Sequence, residues 1–328
     1  MVILIRVDAT VSMGMGHFMR CLAFAQWCRA HEITPIFVLC QIVGSMADRI
    51  AKEGFESYSL SCMAGSLDDA KQTLSVAKQL KATHILFDGY HFDTEYFAVF
   101  ESQDKKLIFI DDFGKIPPFA HTVVNFQPWA NSNDYADNCK QFLGLEYFLL
   151  RKEFWPYFSQ EKLNNDKKNM LIMLGGTDPH QFTQTLITML GKLDIEPMHL
   201  SVVLGQPHHV TIPDQYPHQI KIYIDVQDMS TIESTVDLAI TGSGGSCWEL
   251  AFMKVPCLTV IQADNQIAVA HAMQERGFGL NLGWYYEIND KALASNIHRI
   301  LSTTETLSPS LNIARRTDAI FSYLRDTL

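Results

Sequence analysis

A histidine follows a glycine-rich turn near the start of the chain, where a strand-like run gives way to a helical pattern. In VILIRVDATVSMGMGHFMRC, the apolar run 2–8 precedes Gly14 and Gly16, and His17 comes next, with Arg20 one turn further on. The positive end of a helix dipole disfavours the imidazolium form, so a neutral ring there can act as a general base toward water. Arg20 could hold an anion or a carboxylate beside it. The alternative is a histidine that caps the turn without a catalytic role.

Two more glycine turns follow apolar runs in the second half of the chain. One is LGGTDP, with Gly175, and the other is ITGSGGSCWEL, with Gly244 and Gly245. Backbone N–H groups can approach an anion at glycines because no Cβ stands in the way. With Ser246 as the predicted N-cap of a helix, the free amides suit a phosphate or a diphosphate, and Glu249 could accept hydrogen bonds from a ribose. Tight packing of the glycines and a first-turn carboxylate favoured by the dipole remain the alternatives.

Carboxylates also end two strand-like runs, at Asp88 in FDGY and at Asp111 and Asp112 in FIDDFG. No histidine or third carboxylate stands at ligand spacing beside them, so we predict no metal site. We expect these residues to cap helices or to orient neighbouring groups. Ten of the 12 histidines, those outside GMGH and GYH, lack a metal-like pattern, and we expect them at the surface.

The elements that must position these residues alternate between short apolar runs and amphipathic stretches, which predicts an α/β protein with parallel sheets covered by helices. The predicted strands lie at 2–8, 35–40, 84–90, 106–112, 122–126, 170–174, 201–205, 220–225, 237–241 and 257–261. Helical patterns lie at 17–31, 43–54 and 66–81, and a polar stretch at 159–169 reads as a linker or surface loop. Two successive, doubly wound β/α units of similar size are therefore predicted.

Composition narrows the class of protein. The chain has 328 residues, 47% of them hydrophobic, and a formal net charge of −10, which argues against non-specific nucleic-acid binding. Its seven cysteines are scattered singly without a CxxC pair, so neither a zinc ribbon nor a disulfide framework is expected. The start shows no leader-like pattern, and no apolar run reaches the ~18 residues of a membrane span. We expect a cytoplasmic monomer without stable membrane association.

Taken together in their order along the chain, these motifs resemble a known family. They are GxGHxxR at 14–20, DGY at 88–90, IDD at 110–112, NFQP at 125–128, LGLEYFLLRKEF at 143–154, LGGTDP at 174–179, SGGSCWEL at 243–250 and the pair Asn265-Gln266. The chain resembles the UDP-2,4-diacetamido-2,4,6-trideoxy-β-L-altropyranose hydrolases of pseudaminic acid biosynthesis. The resemblance runs over nearly the whole chain. Four positions depart from the family pattern: Gly245-Ser246 stands where Ser-Thr is usual, and Met13 and Met15 flank the first glycines.

The resemblance implies a GT-B architecture, in which two Rossmann-like domains face a cleft and the second holds most of the UDP. Its domains would span 1–155 and 168–310, followed by a terminal helix at 311–328. The implied reaction uses no metal or cofactor: UDP is lost to water at the anomeric carbon of the sugar, in bacterial surface-glycan synthesis.

The same resemblance implies roles for individual residues. His17 would activate water, and the substrate would contact Gly14, Gly16, Arg20, Tyr90, Arg151 and Asn265. The UDP part would lie against Gly175, Gly244, Gly245, Ser246 and Glu249.

Two other functions use the same residues. A GT-B glycosyltransferase would replace water by an acceptor hydroxyl, and a non-catalytic protein would bind the UDP-sugar without turnover. Incubation with a UDP-sugar alone separates the hydrolase from the other two, because only the hydrolase releases UDP quickly without an acceptor.

Overall fold

The computed structural model describes residues 1–9, 15–42, 44–159, 169–176, 178–205, 209–302 and 312–327. Gly14 and most of the predicted linker at 159–169 lie outside these ranges. The chain divides into two compact units, one comprising Met1–Lys152 with Asn312–Leu328 and the other Glu153–Leu311. The terminal segment therefore belongs to the first unit.

The first unit is built on a seven-stranded sheet in which every pairing between neighbouring strands is parallel. Its strands are β1 (Val2–Val7), β2 (Thr34–Leu39), β3 (Glu56–Ser59), β4 (His84–Asp88), β5 (Lys106–Ile110), β6 (Thr122–Asn125) and β7 (Lys140–Leu143). They are ordered β3-β2-β1-β4-β5-β6-β7. The strand order reverses between β1 and β4, and ligands of open α/β sheets bind at such a switch point, beyond the carboxyl ends of the strands.

Helices cover this sheet, and their sequences explain their ends. They are α1 (Gly16–Ala30), α2 (Gly44–Lys52), α3 (Leu67–Gln79) and α4 (Thr94–Ala98), with 3-10 turns at Ser132–Asp134 and Leu145–Tyr147. The hydroxyl of Ser66 caps α3 by accepting a hydrogen bond from the Asp69 amide, at 3.2 Å. The β1 and β4 runs are buried almost throughout, as expected of parallel strands covered on both faces.

The second unit repeats this plan with six strands, also all parallel, ordered β10-β9-β8-β11-β12-β13. The strands are β8 (Asn169–Met173), β9 (His199–Leu204), β10 (Gln219–Ile224), β11 (Leu238–Gly242), β12 (Cys257–Ile261) and β13 (Gly279–Trp284). The helices are α5 (Phe182–Leu190), α6 (Ser230–Glu233), α7 (Ser246–Phe252), α8 (Ile267–Glu275) and α9 (Asp290–Ser302), with 3-10 helices at Lys152–Ser159 and Asp264–Gln266. The switch point here lies between β8 and β11.

Three strands of the structure were not predicted from the sequence pattern. β3 reads ESYS and has no buried residue, and β7 reads KQFL with one buried residue. β13 reads GLNLGW, in which glycine and asparagine break the apolar run. Their pairing with neighbouring strands, rather than their side chains, makes them strands.

The terminal helix is shorter than the predicted 311–328. It forms α10 (Thr317–Asp326), because the residues before it pair with another segment. The amides of Ala314 and Arg316 donate to the carbonyl oxygens of Leu145 and Glu146, at 2.9 and 2.8 Å. Those hydrogen bonds replace the ones that a longer helix would make.

Two histidines contradict the expectation that those outside the motifs lie at the surface. His84 and His218 are 3% and 5% exposed. His84 begins β4, and a hydrogen bond at 2.9 Å joins its Nδ1 to the Thr83 hydroxyl. His218 contacts the Met198 amide and the Leu190 carbonyl through its two ring nitrogens, at 3.3 and 3.1 Å. Because both ring nitrogens of His218 have backbone hydrogen-bond partners, this ring can be buried.

Candidate functional site

The polar residues of the first unit converge at the carboxyl ends of four neighbouring strands. His17 is the second residue of α1, the helix that follows β1; Asp88 is the last residue of β4, Asp112 follows β5, and Gln127 follows β6. Because β1, β4, β5 and β6 are adjacent in the sheet, their ends meet at one edge. Hydrogen bonds described below join all four residues, directly or through Arg20.

A buried carboxylate fixes the tautomer of His17. The ring, 9% exposed, places Nδ1 at 2.7 Å from Oδ1 of Asp88. Burial would raise the pKa of Asp88, but the charge of Arg20 and its hydrogen bonds hold that pKa well below its usual range. An ionised carboxylate can only accept, so Nδ1 carries the hydrogen and donates it to Asp88. Nε2 is then the basic nitrogen, and within the described ranges it has no hydrogen-bond partner.

Arg20 bridges the two carboxylates of the site. Its Nε and Nη2 donate to the two oxygens of Asp88, both at 2.6 Å, and Nη1 donates to both oxygens of Asp112 at 2.9 Å. Nη2 also lies 3.1 Å from His17 Nδ1, but this is a contact between two donors rather than a hydrogen bond. Burial would lower the pKa of Arg20, but Asp112 and Asp88 raise it well above its ordinary value. Arg20 is thus a permanent cation engaged by carboxylates.

Asp112 binds three side chains of this cluster. It accepts hydrogen bonds from the Tyr90 hydroxyl at 2.6 Å and from Nε2 of Gln127 at 2.7 Å, besides those of Arg20. Burial would raise its pKa, but Arg20, Tyr90 and Gln127 lower it below the usual range. The ring of Tyr90 stands edge-on to His17, with centroids 4.4 Å apart. Tyr90 is therefore held edge-on against the ring of His17 by its hydrogen bond to Asp112.

Of the other first-unit residues that the resemblance names, Gly14 lies outside the described ranges, while Gly16 and Arg151 lie within them. Gly16 begins α1 and is exposed, and a Cβ built on it would meet nothing within 4 Å. Arg151 is buried, at 6% exposed, just before the 3-10 helix Lys152–Ser159.

In the second unit, the predicted UDP-binding residues follow three adjacent strands. Gly175 follows β8, Gly244 and Gly245 follow β11, and Asn265 follows β12. Gly175 has φ +90°, a backbone conformation that favours glycine. A Cβ on Gly244 or on Gly245 would meet nothing within 4 Å, so packing does not require glycine at either position. That observation weighs against the tight-packing alternative for this turn.

The predicted N-cap at Ser246 is wrong. Ser246 is the first residue of α7, and the N-cap is Gly245, which makes no side-chain hydrogen bond. The reason is the backbone: Gly245 already has φ −58° and ψ −32°, so the helical conformation starts one residue earlier than a serine cap would allow. Ser246 is half-buried, Glu249 is buried in the first turn of α7, and Asn265 is exposed in its 3-10 turn.

The described residues also include one group of potential metal ligands in the first unit. Donor atoms of Cys40, Cys62 and Asp69 lie within 4.8 Å of one another. Arg6, fully buried, donates to both oxygens of Asp69 at 2.9 and 2.6 Å and lies 3.0 Å from the sulfur of Cys40. A buried guanidinium in this position opposes a divalent cation, so the group does not fit a metal.

Sequence reasoning missed one residue of the cluster, since Gln127 entered only as part of the NFQP motif. The expectation that Asp88 and Asp112 orient neighbouring groups is confirmed, because Asp88 binds His17 and Arg20, and Asp112 binds Arg20. The available signal was positional: each polar residue directly ends, or follows by two positions, a strand of one parallel sheet. Which strands are adjacent, and hence which residues meet, is not readable from the chain.

Every helix in the described part of the chain is too short or too polar to cross a membrane.

No protein-family model matches the chain. It is 27% identical over 283 residues to an uncharacterised protein of Methanocaldococcus jannaschii, covering 81% of this chain and 57% of that protein. It is 27% identical over 210 residues to the spore coat polysaccharide biosynthesis protein SpsG of Bacillus subtilis, covering 62% of each. The chain thus spans about three fifths of the length of these two relatives.

A third relative is the UDP-2,4-diacetamido-2,4,6-trideoxy-β-L-altropyranose hydrolase of Campylobacter jejuni, 22% identical over 288 residues, which are 85% of this chain and 98% of that protein. Among solved structures, MurG of Acinetobacter baumannii is similar with a TM-score of 0.66 at 15% identity, over 99% of both chains. The spinosyn rhamnosyltransferase SpnG complexed with thymidine diphosphate is similar with a TM-score of 0.68 at 13% identity, also over 99% of both. With two Rossmann-like parallel-sheet units and this full-length likeness, the chain has the GT-B fold.

Proposed function

We propose that this protein hydrolyses UDP-2,4-diacetamido-2,4,6-trideoxy-β-L-altropyranose, releasing UDP and the free sugar, with His17 as the general base. The observation that carries the proposal is the pairing of His17 with Asp88. An ionised carboxylate at 2.7 Å holds the hydrogen on Nδ1 and leaves Nε2 able to accept a proton.

In the proposed reaction, a water molecule attacks the anomeric carbon of the sugar. Nε2 of His17 takes a proton from that water as the new C–O bond forms, and the bond between the anomeric carbon and the β-phosphate oxygen breaks. UDP leaves with the electron pair of that bond. Asp88 stabilises the imidazolium that forms, because its carboxylate accepts the Nδ1 hydrogen.

The second unit would bind the UDP part through the turn at Gly244, Gly245 and Ser246, with Gly175 beside it. Their backbone N–H groups are donors suited to a diphosphate, and the open space at both glycines of the turn leaves room for its oxygens. Glu249 would accept hydrogen bonds from the ribose, and Asn265 and Arg151 would contact substrate. These roles come from the resemblance, and UDP is a good enough leaving group to need no separate acid.

The choice of hydrolase rests on the Campylobacter jejuni relative, whose length is matched almost entirely. The activity of that relative also supports the diacetamido sugar as substrate. A place in surface-glycan synthesis in the cytoplasm comes from the resemblance alone.

The decisive test is the His17→Asn variant assayed with the UDP-sugar alone. We expect kcat to fall by a factor on the order of 10²–10⁴, with the Kd for the substrate changed little, because the ring contributes to proton transfer more than to binding. Release of UDP is followed by chromatography and the free sugar by NMR. His298→Asn, an exposed histidine on α9, is the matched control and should keep full activity. Full activity of His17→Asn, in a preparation free of wild-type enzyme, would remove this histidine from the mechanism.

A glycosyltransferase is the second candidate, favoured by the full-length likeness to the spinosyn rhamnosyltransferase. In that reaction His17 would take the proton of an acceptor hydroxyl instead of water. A wild-type enzyme that leaves the UDP-sugar intact for hours, and consumes it only when an acceptor sugar or lipid is added, would establish the transferase. Binding without turnover under either condition would leave a non-catalytic UDP-sugar-binding protein.

A further inference from the structure

Three large aromatic side chains are exposed near the carboxyl ends of β4, β5 and β6. Tyr90, Phe113 and Trp129 are 55%, 52% and 38% exposed. The rings of Tyr90 and Phe113 pack on each other with centroids 5.3 Å apart. Most large apolar side chains of the chain are buried, and a cluster of exposed ones marks a surface that binds something.

Asp112 connects all three rings. Its side chain accepts the Tyr90 hydroxyl at 2.6 Å, its backbone carbonyl accepts the indole N–H of Trp129 at 3.2 Å, and Phe113 is the next residue in the chain. The carboxylate is only 4% exposed and is already engaged by Arg20 and Gln127. The surface therefore presents apolar ring faces whose positions are fixed by contacts with Asp112. The negative charge of Asp112 is buried and does not reach that surface.

We propose that Phe113 and Trp129, with Tyr90, form an aromatic platform that binds the sugar ring of the substrate through its apolar face. The ligand class is a pyranose that carries methyl groups, such as those of a 6-deoxy carbon and of acetamido substituents. This inference rests on the proposed function, since it assigns the specificity of the same site.

The short distance between the aromatic platform and His17 decides which part of the substrate binds to the platform. A general base must reach the attacking water, and that water must reach the anomeric carbon, each over about 3 Å. The platform begins at Tyr90, whose ring centroid is 4.4 Å from that of His17. The sugar therefore adjoins the rings, whereas the uracil base is separated from the anomeric carbon by a ribose and two phosphates. C–H groups and methyl groups pack on aromatic faces without needing a hydrogen-bond partner.

The test uses the His17→Asn background, in which the substrate survives long enough for calorimetric titration. Phe113→Leu and Trp129→Leu are added singly, and each protein is titrated with UDP and with UDP-2,4-diacetamido-2,4,6-trideoxy-β-L-altropyranose. We expect each change to weaken binding of the UDP-sugar by about threefold to tenfold, and to leave the Kd for UDP within about twofold. Phe113→Tyr, which keeps the ring, should restore affinity. Leu67→Ala, an exposed apolar residue at the start of α3, is the control and should change neither value.

Each result decides the proposal. Equal losses for UDP and for the UDP-sugar would show that the rings hold the nucleotide, and no loss for either would show that they hold neither; both overturn the platform. If wild-type protein binds the UDP-sugar in a ring-dependent manner but does not hydrolyse it, the hydrolase proposal fails and the platform stands. If wild-type protein binds no UDP-sugar, both fall.

Discussion

At the scale of single residues, the site depends on which nitrogen of His17 carries hydrogen. Asp88 determines this, because it is ionised and can only accept. A general base needs a free lone pair pointing at its substrate, and a histidine whose Nδ1 is tied to a carboxylate offers only Nε2. Asp88 is thus a positioning residue that acts through His17.

Asp88→Asn tests this role. An amide can donate to Nδ1 and so favour the wrong tautomer, and we expect kcat to fall by a factor on the order of 10²–10⁴ with a smaller change in KM. Asp69→Asn is the control, since Asp69 is an equally buried carboxylate bound by Arg6 through two hydrogen bonds. Both variants should lose stability, roughly 3–5 kcal/mol for a broken buried pair, measured by urea unfolding. Equal kcat losses in the two variants would mean that Asp88 only supports the fold.

Glycine at position 244 can be tested in the same way. Gly244→Ala should leave the free energy of unfolding within about 1 kcal/mol, because its Cβ would meet nothing within 4 Å. It should weaken UDP binding by roughly tenfold, if the backbone N–H groups there approach the diphosphate. Calorimetry gives the Kd and thermal unfolding the stability.

Gly205→Ala provides the contrast, since its Cβ would lie 2.4 Å from the carbonyl oxygen of Gly176. This change should destabilise the protein through a backbone clash. Unchanged UDP affinity in Gly244→Ala would argue against a diphosphate at the turn.

At the scale of elements, α10 completes the first unit by packing on α1. Phe321 is fully buried against Phe24, Trp27 and His31, with ring centroids 5.0, 5.9 and 5.3 Å away. The hydroxyl of Thr317 donates to the Phe148 carbonyl at 2.9 Å and fixes the start of the helix. Since α1 also carries His17, α10 supports the helix on which His17 lies.

Phe321→Ala should therefore destabilise the protein by about 3–5 kcal/mol, the cost of emptying a buried aromatic site. Arg325→Ala, an exposed change on the same helix, should stay within about 0.5 kcal/mol. Chemical denaturation measures both. A loss for Phe321→Ala no larger than that of the control would show that α10 does not stabilise the unit.

At the scale of the whole molecule, His84 makes stability depend on pH. Burial, followed by the charges of Lys106 and His121, lowers its pKa to about 4, against 6.5 for a free histidine. The unfolded chain therefore binds more protons than the folded one between these two values. The free energy of unfolding therefore rises with pH through this window. The contribution that His84 makes to stability is lost as the pH falls toward 4.

We expect wild-type protein to lose on the order of 3 kcal/mol more than His84→Gln when the pH is lowered from about 7.5 to about 4. Urea unfolding of both proteins at the two pH values gives the difference, in which the contributions of the carboxylates cancel. Parallel loss in the two proteins would mean that His84 is protonated in the folded state or does not affect stability.

The sequence by itself determined the α/β class, two successive parallel units and most strands, because buried parallel strands are continuous apolar runs whose pattern survives without context. It also singled out His17, Arg20 and the glycine turns, because these residues directly follow apolar strand-like runs, where ligands of parallel sheets bind. The sequence did not predict β3, β7 and β13, because their strand conformation comes from pairing with neighbouring strands rather than from their own residues.

Only the tertiary structure decided which polar residues meet. Asp88 and Asp112 stand 71 and 95 positions after His17, and nothing in that spacing shows that β4 lies beside β1 and β5 beside β4. The order of strands in the sheet brings their carboxyl ends to one edge, and there Arg20 binds both carboxylates while Asp88 takes the hydrogen of His17. The tautomer of His17 is thus a property of long-range contacts, because hydrogen bonds depend on distances of about 3 Å that local sequence does not encode.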